Sequence, residues 1–297
     1  MAAASTSTVA VTAPAKLNLY LHVTGRRPDG YHLLDSLIVF AGVGDRLTVS
    51  PADDLSLELT GPFATALADD CDNLVLRAAR LLARAGGIDA HAAIRLDKHL
   101  PVAAGLGGGS ADAAAALCAL ATLWSLAPDT DDLAALALEL GTDVPVCLAG
   151  RATFVGGIGE DMAAPPPLPP VFGVLVNPGV PLSTAAVFGE LGGVFSEADR
   201  FSAAPADANA LVALLAARSN DLEAPARRLC PALDLALAAL AADPHCLLAR
   251  MSGSGATCFG LFGNPGHAAA AANRIGAAHP EWWVASAPLL YDPLGDA

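Results

Sequence analysis

Four glycines crowd into five residues, at Gly105, Gly107, Gly108 and Gly109. A proline-led approach, Leu100-Pro101-Val102-Ala103-Ala104, precedes them, and an alanine-rich run opening Ser110-Ala111-Asp112-Ala113 follows. Glycine reaches positive φ readily and puts no Cβ between backbone and ligand. Successive amides in such a loop can converge on an anion. The alanine-rich run reads as a helix, whose first turn adds unpaired N–H groups and the positive end of its dipole. These features suit the phosphates of a nucleotide. No lysine follows the glycines as in a Walker A loop, and the spacing G-x-G-x-x-G breaks at Ser110. A flexible loop capping a core helix would also use glycine. The Pro101 start, Ser110 at a cap position and the small residues directly after it favour phosphate.

The 297 residues suffice for one large or two medium domains. Hydrophobic residues make up 54%, much of it alanine, which favours helices and close helix packing. A net charge of −14 argues against a nucleic-acid binder, which usually carries a basic stripe. An acidic protein that holds an anionic nucleotide must concentrate positive potential locally. Cys71, Cys118, Cys147, Cys230, Cys246 and Cys258 form no C-x-x-C pair and have no histidine cluster beside them. Metal and disulfide frameworks are therefore weak readings, and reduced, mostly buried thiols are expected. Met1 to Thr8 lacks a basic or apolar leader and reads as a frayed tail. The longest apolar stretches carry Asp112, Glu139 or Asp234, so no membrane span is expected and the default is a cytoplasmic protein.

Leu17, Leu19, Leu21 and Val23 alternate within Thr12 to Thr24, the mark of a strand. Its other face carries Lys16, Asn18, Tyr20 and His22. After a turn at Arg26-Arg27-Pro28-Asp29-Gly30, two more strands are expected over Leu33 to Val43 and Arg46 to Leu59. Asn73 to Ala85 reads as a helix, Ala92 to Leu96 as a strand feeding the glycines, and the next helix runs to about Trp124. Asp131 to Leu140 is helical and ends at Gly141. Arg151 to Val155 is expected to be a strand. Pro165-Pro166-Pro167-Leu168-Pro169-Pro170 reads as an exposed connector, and it places a boundary near residue 160, dividing 1–160 from 161–297. A strand at Val171 to Val176 and helices at Asp207 to Ala217 and Ala232 to Ala242 follow. Then comes a second glycine-bearing segment, Met251 to Gly260. Strands and helices mix irregularly, which suggests α+β in both halves.

Phosphoryl transfer asks a protein to position phosphates, neutralise charge and orient or deprotonate the acceptor hydroxyl. A carboxylate beside a cation can do the last two. Asp143 and Lys16 are the candidates. Asp143, between Gly141 and Pro145, also fits an N-cap with proline in the first turn. Lys16 also fits a solvated lysine on a half-exposed strand face.

Five segments in order carry a resemblance: Ala13-Pro14-Ala15-Lys16-Leu17-Asn18-Leu19, Arg27-Pro28-Asp29-Gly30-Tyr31-His32, Pro101 through Ser110, Gly141-Thr142-Asp143-Val144-Pro145, and Ser252-Gly253-Ser254-Gly255. With them the chain resembles the GHMP kinase superfamily (galactokinase, homoserine, mevalonate and phosphomevalonate kinases). Within it, the first two segments resemble most the family of 4-diphosphocytidyl-2-C-methyl-D-erythritol kinases. The resemblance implies a two-domain α+β fold: an N-terminal ATP-binding domain of the ribosomal-protein-S5-domain-2-like type, with a left-handed βαβ unit, and a ferredoxin-like C-terminal domain. It places the active site in the cleft between them.

It also implies transfer of the ATP γ-phosphoryl group to the 2-hydroxyl of 4-diphosphocytidyl-2-C-methylerythritol, in the methylerythritol phosphate route to isoprenoids. Asp143 matches the general base and Lys16 the lysine beside it. Lys16 would hold Asp143 ionised and offset charge on the transferring group. Pro101, Val102, Ala103, Ala104, Gly105, Leu106, Gly107, Gly108, Gly109, Ser110 and Ala111 would line ATP, with the glycines and Ser110 around its phosphates. Asn73 and Lys98 match positions near adenine, although Lys98 also fits a solvated strand-end lysine. Tyr31 and Phe188 match aromatic positions that sandwich the cytosine, His32 the position that reads its edge, and Asn18 and Thr184 other substrate contacts. Tyr31 and His32 also fit plain strand-start residues, and Phe188 a core residue. Ala111 stands where many members of the family carry a second serine. Mg²⁺ is implied with ATP, without an identifiable carboxylate ligand. No nucleic-acid or membrane partner is expected, and a monomer or homodimer fits. Two readings stay open beside this one: a kinase for another small alcohol such as homoserine or mevalonate, and a non-catalytic metabolite binder on the same scaffold.

Overall fold

The computed structural model describes residues 8–67 and 72–290. The tail expected over Met1 to Thr8 lies outside them except for Thr8, and Cys71 lies outside them altogether. The chain forms two compact units, neither continuous in sequence. The first holds Met1–Ala15, Gly44–Val102 and Gly107–Ala149; the second holds Lys16–Val43, Ala103–Leu106 and Gly150–Ala297. A single cut near residue 160 draws the chain differently. The first two strands, β1 (Val9–Arg26) and β2 (His32–Ser50), are long enough to give residues to both units.

In the first unit the later half of β2 pairs antiparallel with β4 (Ala93–Asp97), from Arg46 opposite Asp97 to Ser50 opposite Ala93. β3 (Ser56–Thr60) lies parallel to β4, and α1 (Leu74–Gly86) joins the two in a βαβ unit. The Asn73 side chain caps α1 by accepting the Val75 N–H (2.9 Å), and Gly87, at φ 64°, closes it. α2 (Gly108–Leu123), α3 (Thr130–Leu140) and α4 (Val144–Ala149) complete the unit. α2 is buried nearly all round, and its alanines let it pack closely on α1. The core joins Leu47 and Val49 of β2, Ile94 and Leu96 of β4, Val75, Ala78 and Leu82 of α1, and Ala113, Leu117 and Leu120 of α2. β1 and β2 pass so closely here that a Cβ on Gly44 would stand 2.2 Å from the Ala13 carbonyl oxygen.

The second unit contains β5 (Thr153–Gly157), β6 (Asp161–Ala163), β7 (Phe172–Asn177), α5 (Thr184–Gly189), α6 (Ala208–Ala216), α7 (Glu223–Leu229) and α8 (Ala232–Ala241). β8 (Leu248–Met251), β9 (Cys258–Phe262), α9 (Pro265–Ala278) and β10 (Trp283–Leu290) follow. Its sheet runs β10-β7-β9-β8 with every pair antiparallel. Helices cross from β7 to β8, and α9 crosses from β9 to β10. That order and connectivity are the ferredoxin-like arrangement. Val174, Val176, Cys258 and Phe262 of this sheet pack on Leu233, Ala236 and Leu240 of α8 and on Ala268, Ala271 and Ile275 of α9. The first half of β2 extends the unit, pairing with β5 from Leu34 opposite Gly157 to Ile38 opposite Thr153.

Three local expectations change. The strands expected at Leu33 to Val43 and Arg46 to Leu59 are instead one long strand, β2, and a short one, β3, with a turn over residues 51–55. Ser110 is not the cap of its helix. α2 begins at Gly108, with Gly107 at φ 62° in the cap position, because only glycine takes that conformation cheaply. β1 is not half-exposed: Lys16, Asn18, Tyr20 and His22 are as buried as the leucines between them.

Candidate active site

In the first unit the glycine segment ends as the opening turn of α2. No side chain caps that turn, and the oxygen of the cap residue, Gly107, accepts the Ala111 N–H (2.8 Å). The amides of Gly108, Gly109 and Ser110 thus form the uncapped start of a 16-residue helix. α1 begins beside it, since a Cβ on Gly109 would meet Leu74 Cδ1 at 3.6 Å. That brings Asn73 to the same end of the unit. Its side-chain oxygen is already engaged as the α1 cap.

Lys98 is no solvated strand-end lysine; it is 2% exposed. Its Nζ donates to Asp45 Oδ2 and to Asp112 Oδ2 (2.7 Å). Asp45 Oδ1 also accepts the N–H groups of His99 (2.6 Å) and Leu100 (2.8 Å), the residues leading to Pro101. Burial works against the Lys98 charge, but the two carboxylates outweigh it and raise its pKa. Burial pushes Asp112 up to about 7, against the pull of Lys98 and with the help of Asp45. Asp143 stands directly before α4, and its carbonyl accepts the Cys147 N–H (3.2 Å), which is the position an N-cap occupies. Pro145 follows in the first turn, as expected.

The second unit holds the earlier part of the glycine segment, Ala103 to Leu106. Ala103 and Gly105 both have positive φ, 53° and 73°. The turn Ser252 to Thr257 grips this stretch. Ser252 Oγ donates to the Gly105 oxygen (3.0 Å), and the Thr257 N–H donates to the Ala104 oxygen (3.1 Å). A Cβ on Gly105 would lie 2.4 Å from the Ser252 oxygen, so glycine is obligatory there. Asn220 holds the turn from behind through the Met251 and Gly253 oxygens (2.8 Å each).

β1 supplies its neighbours. The Lys16 N–H donates to the Leu106 oxygen (2.8 Å), and the Lys16 side chain is 5% exposed, not on a solvated face. The Asn18 N–H donates to Ser252 Oγ (3.2 Å) and its Nδ2 to Ser36 Oγ (2.8 Å), which itself donates to the Tyr20 oxygen (2.6 Å). This relay fixes the orientation of the amide and leaves Asn18 Oδ1 as its acceptor. That atom is buried without a hydrogen-bond partner among the described residues. Thr184 opens α5, and its hydroxyl meets Ser254 Oγ at 2.8 Å. Phe188, later in α5, stacks on His32, with ring centres 4.8 Å apart and planes 24° off parallel. Burial, helped by the Arg26 charge, lowers the His32 pKa. Tyr31 beside it is 57% exposed.

Within the second unit, then, Lys16, Asn18, Thr184 and Ala103 to Leu106 gather with the Ser252 turn, and His32 gathers with Phe188. Within the first, Asn73, Lys98 and Gly107 to Ala111 share one end. Asp45, Ser36 and Asn220 were missed, because isolated polar residues in apolar strands or loops carry no motif. Asp112 had a signal, a lone carboxylate in an alanine helix.

Comparison with known proteins defines the class. Residues 73–151 match the GHMP kinases N terminal domain, and residues 202–281 the GHMP kinases C terminal domain. The 4-diphosphocytidyl-2-C-methyl-D-erythritol kinase of Paramagnetospirillum magneticum is 58% identical over 94% of this chain and 98% of its own. The enzyme of that name from Rhodospirillum rubrum is 51% identical over 94% of this chain and 91% of its own. A crystal structure of 4-(cytidine 5'-diphospho)-2C-methyl-D-erythritol kinase superimposes with a TM-score of 0.77 at 37% identity, covering 95% of this chain and 99% of that one. This chain belongs to the 4-diphosphocytidyl-2-C-methyl-D-erythritol kinase family.

Proposed function

We propose that this chain transfers the γ-phosphoryl group of ATP to the 2-hydroxyl of 4-diphosphocytidyl-2-C-methyl-D-erythritol, giving the 2-phosphate and ADP, in the non-mevalonate route to isoprenoid precursors. The observation that carries this is the 58% identity, over nearly the whole chain, with an enzyme of that name. The two sequence domains, 1–160 and 161–297, would supply the ATP-binding and C-terminal parts of a kinase. No helix among the described residues is long and apolar enough to cross a membrane. We read the protein as a cytoplasmic monomer or homodimer acting on small molecules, with no nucleic-acid or membrane partner.

In this reading the uncapped amides of Gly108 to Ser110 and the stretch Pro101 to Ala111 receive the triphosphate. Donors and dipoles fixed in advance stabilise charge on the transferring group without reorganising. Asp143 takes the proton of the acceptor hydroxyl, and Lys16 offsets the developing charge. Asn18 Oδ1, a buried acceptor held in one orientation, takes a hydroxyl of the substrate, with Thr184 nearby. Asn73 lies toward adenine. Tyr31 and Phe188 stack on the cytosine, a contact that supplies about 1–3 kcal/mol per base elsewhere. Its lowered pKa leaves His32 neutral at pH 7, with one ring nitrogen donating and the other accepting, as a cytosine edge requires.

Among the described residues no group of three or more His, Cys, Asp or Glu gathers to hold a metal ion. Mg²⁺ commonly binds through phosphates and water with one or two protein oxygens. It would therefore arrive on ATP, with the Ser110 hydroxyl as the protein oxygen the glycine helix offers. Bound there, it would neutralise charge on the β- and γ-phosphates. A coupled assay of ADP release tests the reading. Turnover with 4-diphosphocytidyl-2-C-methyl-D-erythritol and none with homoserine or mevalonate is expected. Turnover with a simple alcohol alone, or none at all, refutes it.

A further inference from the structure

The family resemblance gives Lys98 to the nucleotide, but its ammonium is spent on two carboxylates. Asp45, Lys98 and Asp112 are all almost fully buried. Burying such a cluster is a poor way to gain stability, because desolvation offsets most of the attraction. What it gives in return is fixed geometry, and the groups it fixes are specific. Asp45 holds the backbone of His99 and Leu100 on the approach to the glycines. Asp112 sits one turn into α2. Lys98 ties the two together directly beneath Gly108, where a Cβ would stand 3.1 Å from Nζ and 3.7 Å from Asp45 Oδ2.

We infer that Asp45 and Asp112, joined by Lys98, are positioning residues for ATP: they lock the approach strand to the first turn of α2, so that its amides are aimed before the phosphates arrive. None of the three needs to touch the nucleotide. The inference rests on the glycine helix being the phosphate site. Asp112 Oδ1 has no hydrogen-bond partner among the described residues. A proton there leaves one carboxylate and one ammonium, a balanced cluster, in line with the raised pKa of Asp112.

The decisive pair is Asp112→Ala and Asp112→Asn. Alanine leaves the Lys98–Asp45 pair charge-balanced and suits the helix, so the variant folds. It removes the tie to α2. Asparagine keeps an acceptor for Lys98 at the same place. Asp112→Ala should raise KM for ATP, and Kd for ATP by calorimetry, about tenfold, as small misplacements remote from the chemistry can. KM for the cytidine substrate should stay within about twofold, and Asp112→Asn should restore ATP binding. If Asp112→Ala lowers only the melting temperature, or moves both KM values alike, the cluster is merely structural and the inference fails. If Asp112→Asn binds ATP as weakly as Asp112→Ala, it fails as well. Should the wild type bind ATP but phosphorylate no cytidine substrate, the proposed function falls while the calorimetric comparison still decides this one.

Discussion

The two stretches of the glycine segment are held by different chemistry. Ala103 to Leu106 is held by neutral hydrogen bonds, from Ser252 Oγ and from the N–H groups of Thr257 and Lys16, onto main-chain oxygens. Gly107 to Asp112 is held by a buried ion cluster, in which one lysine binds two carboxylates. The neutral grip leaves no room: it needs glycine at 105, and a methyl group there would strike the Ser252 oxygen. The ionic grip depends on charge balance, and one of its members is poised to hold a proton. A backbone that must bend sharply is thus clamped by shape, and a helix start that must present donors is clamped by charge.

The sharpest test of whether both grips only bind is a change in neither. Asp143→Asn keeps shape and loses basicity. It should lower kcat by about 10²–10⁴-fold, with the melting temperature and KM for ATP nearly unchanged. Loss of ATP binding in that variant would blur the line between holding and reacting. Gly105→Ala comes next. It places a Cβ 2.4 Å from the Ser252 oxygen at φ 73°, and the loop must shift. A drop in kcat/KM of about 10²-fold, with a lowered melting temperature, is expected from steady-state kinetics and thermal unfolding. Near-wild-type activity would mean that the shape clamp is slack.

How much of this was readable follows from how local each signal was. The glycine loop, the Asn73 cap, the helix ending at Gly141 and the alternation of β1 lie within a few residues, where propensity and period suffice. The burial of Lys16 did not show, because period two cannot distinguish a strand with one covered face from one covered on both. The start of α2 was misplaced because a glycine cap in the left-handed region imitates a loop. Asp45 and Ser252 act on atoms 54 and 147 residues away, so their roles exist only after folding. The order of the motifs, from Ala13-Pro14-Ala15-Lys16 to Ser252-Gly253-Ser254-Gly255, carried the family where single residues could not.

Removing one bond of the neutral grip should cost less than either substitution above. Ser252→Ala strips a donor from the Gly105 oxygen and an acceptor from the Asn18 N–H. Stability should fall by about 1–3 kcal/mol, the cost of leaving buried polar groups unsatisfied. Denaturant unfolding measures it, and the loss should not vary between pH 5 and 8, because no titrating group is involved. A pH-dependent loss would mean that the two grips are not chemically separate.

The ionic grip should behave in the opposite way, and more gently. Burial raises the Asp112 pKa from 3.8 to about 7, so the folded protein holds this proton more tightly than the unfolded chain. The resulting stability is fully present below the unfolded value and is lost as pH rises through about 7. Asp112→Asn keeps the acceptor for Lys98 without a proton to lose. Relative to wild type, its melting temperature should climb from pH 5 to pH 8, by on the order of a few degrees. Parallel curves for the two proteins would mean that Asp112 titrates alike in the folded and unfolded states. The buried cluster would then be held by charge throughout that pH range, and the contrast with the Ser252 clamp would rest on geometry alone.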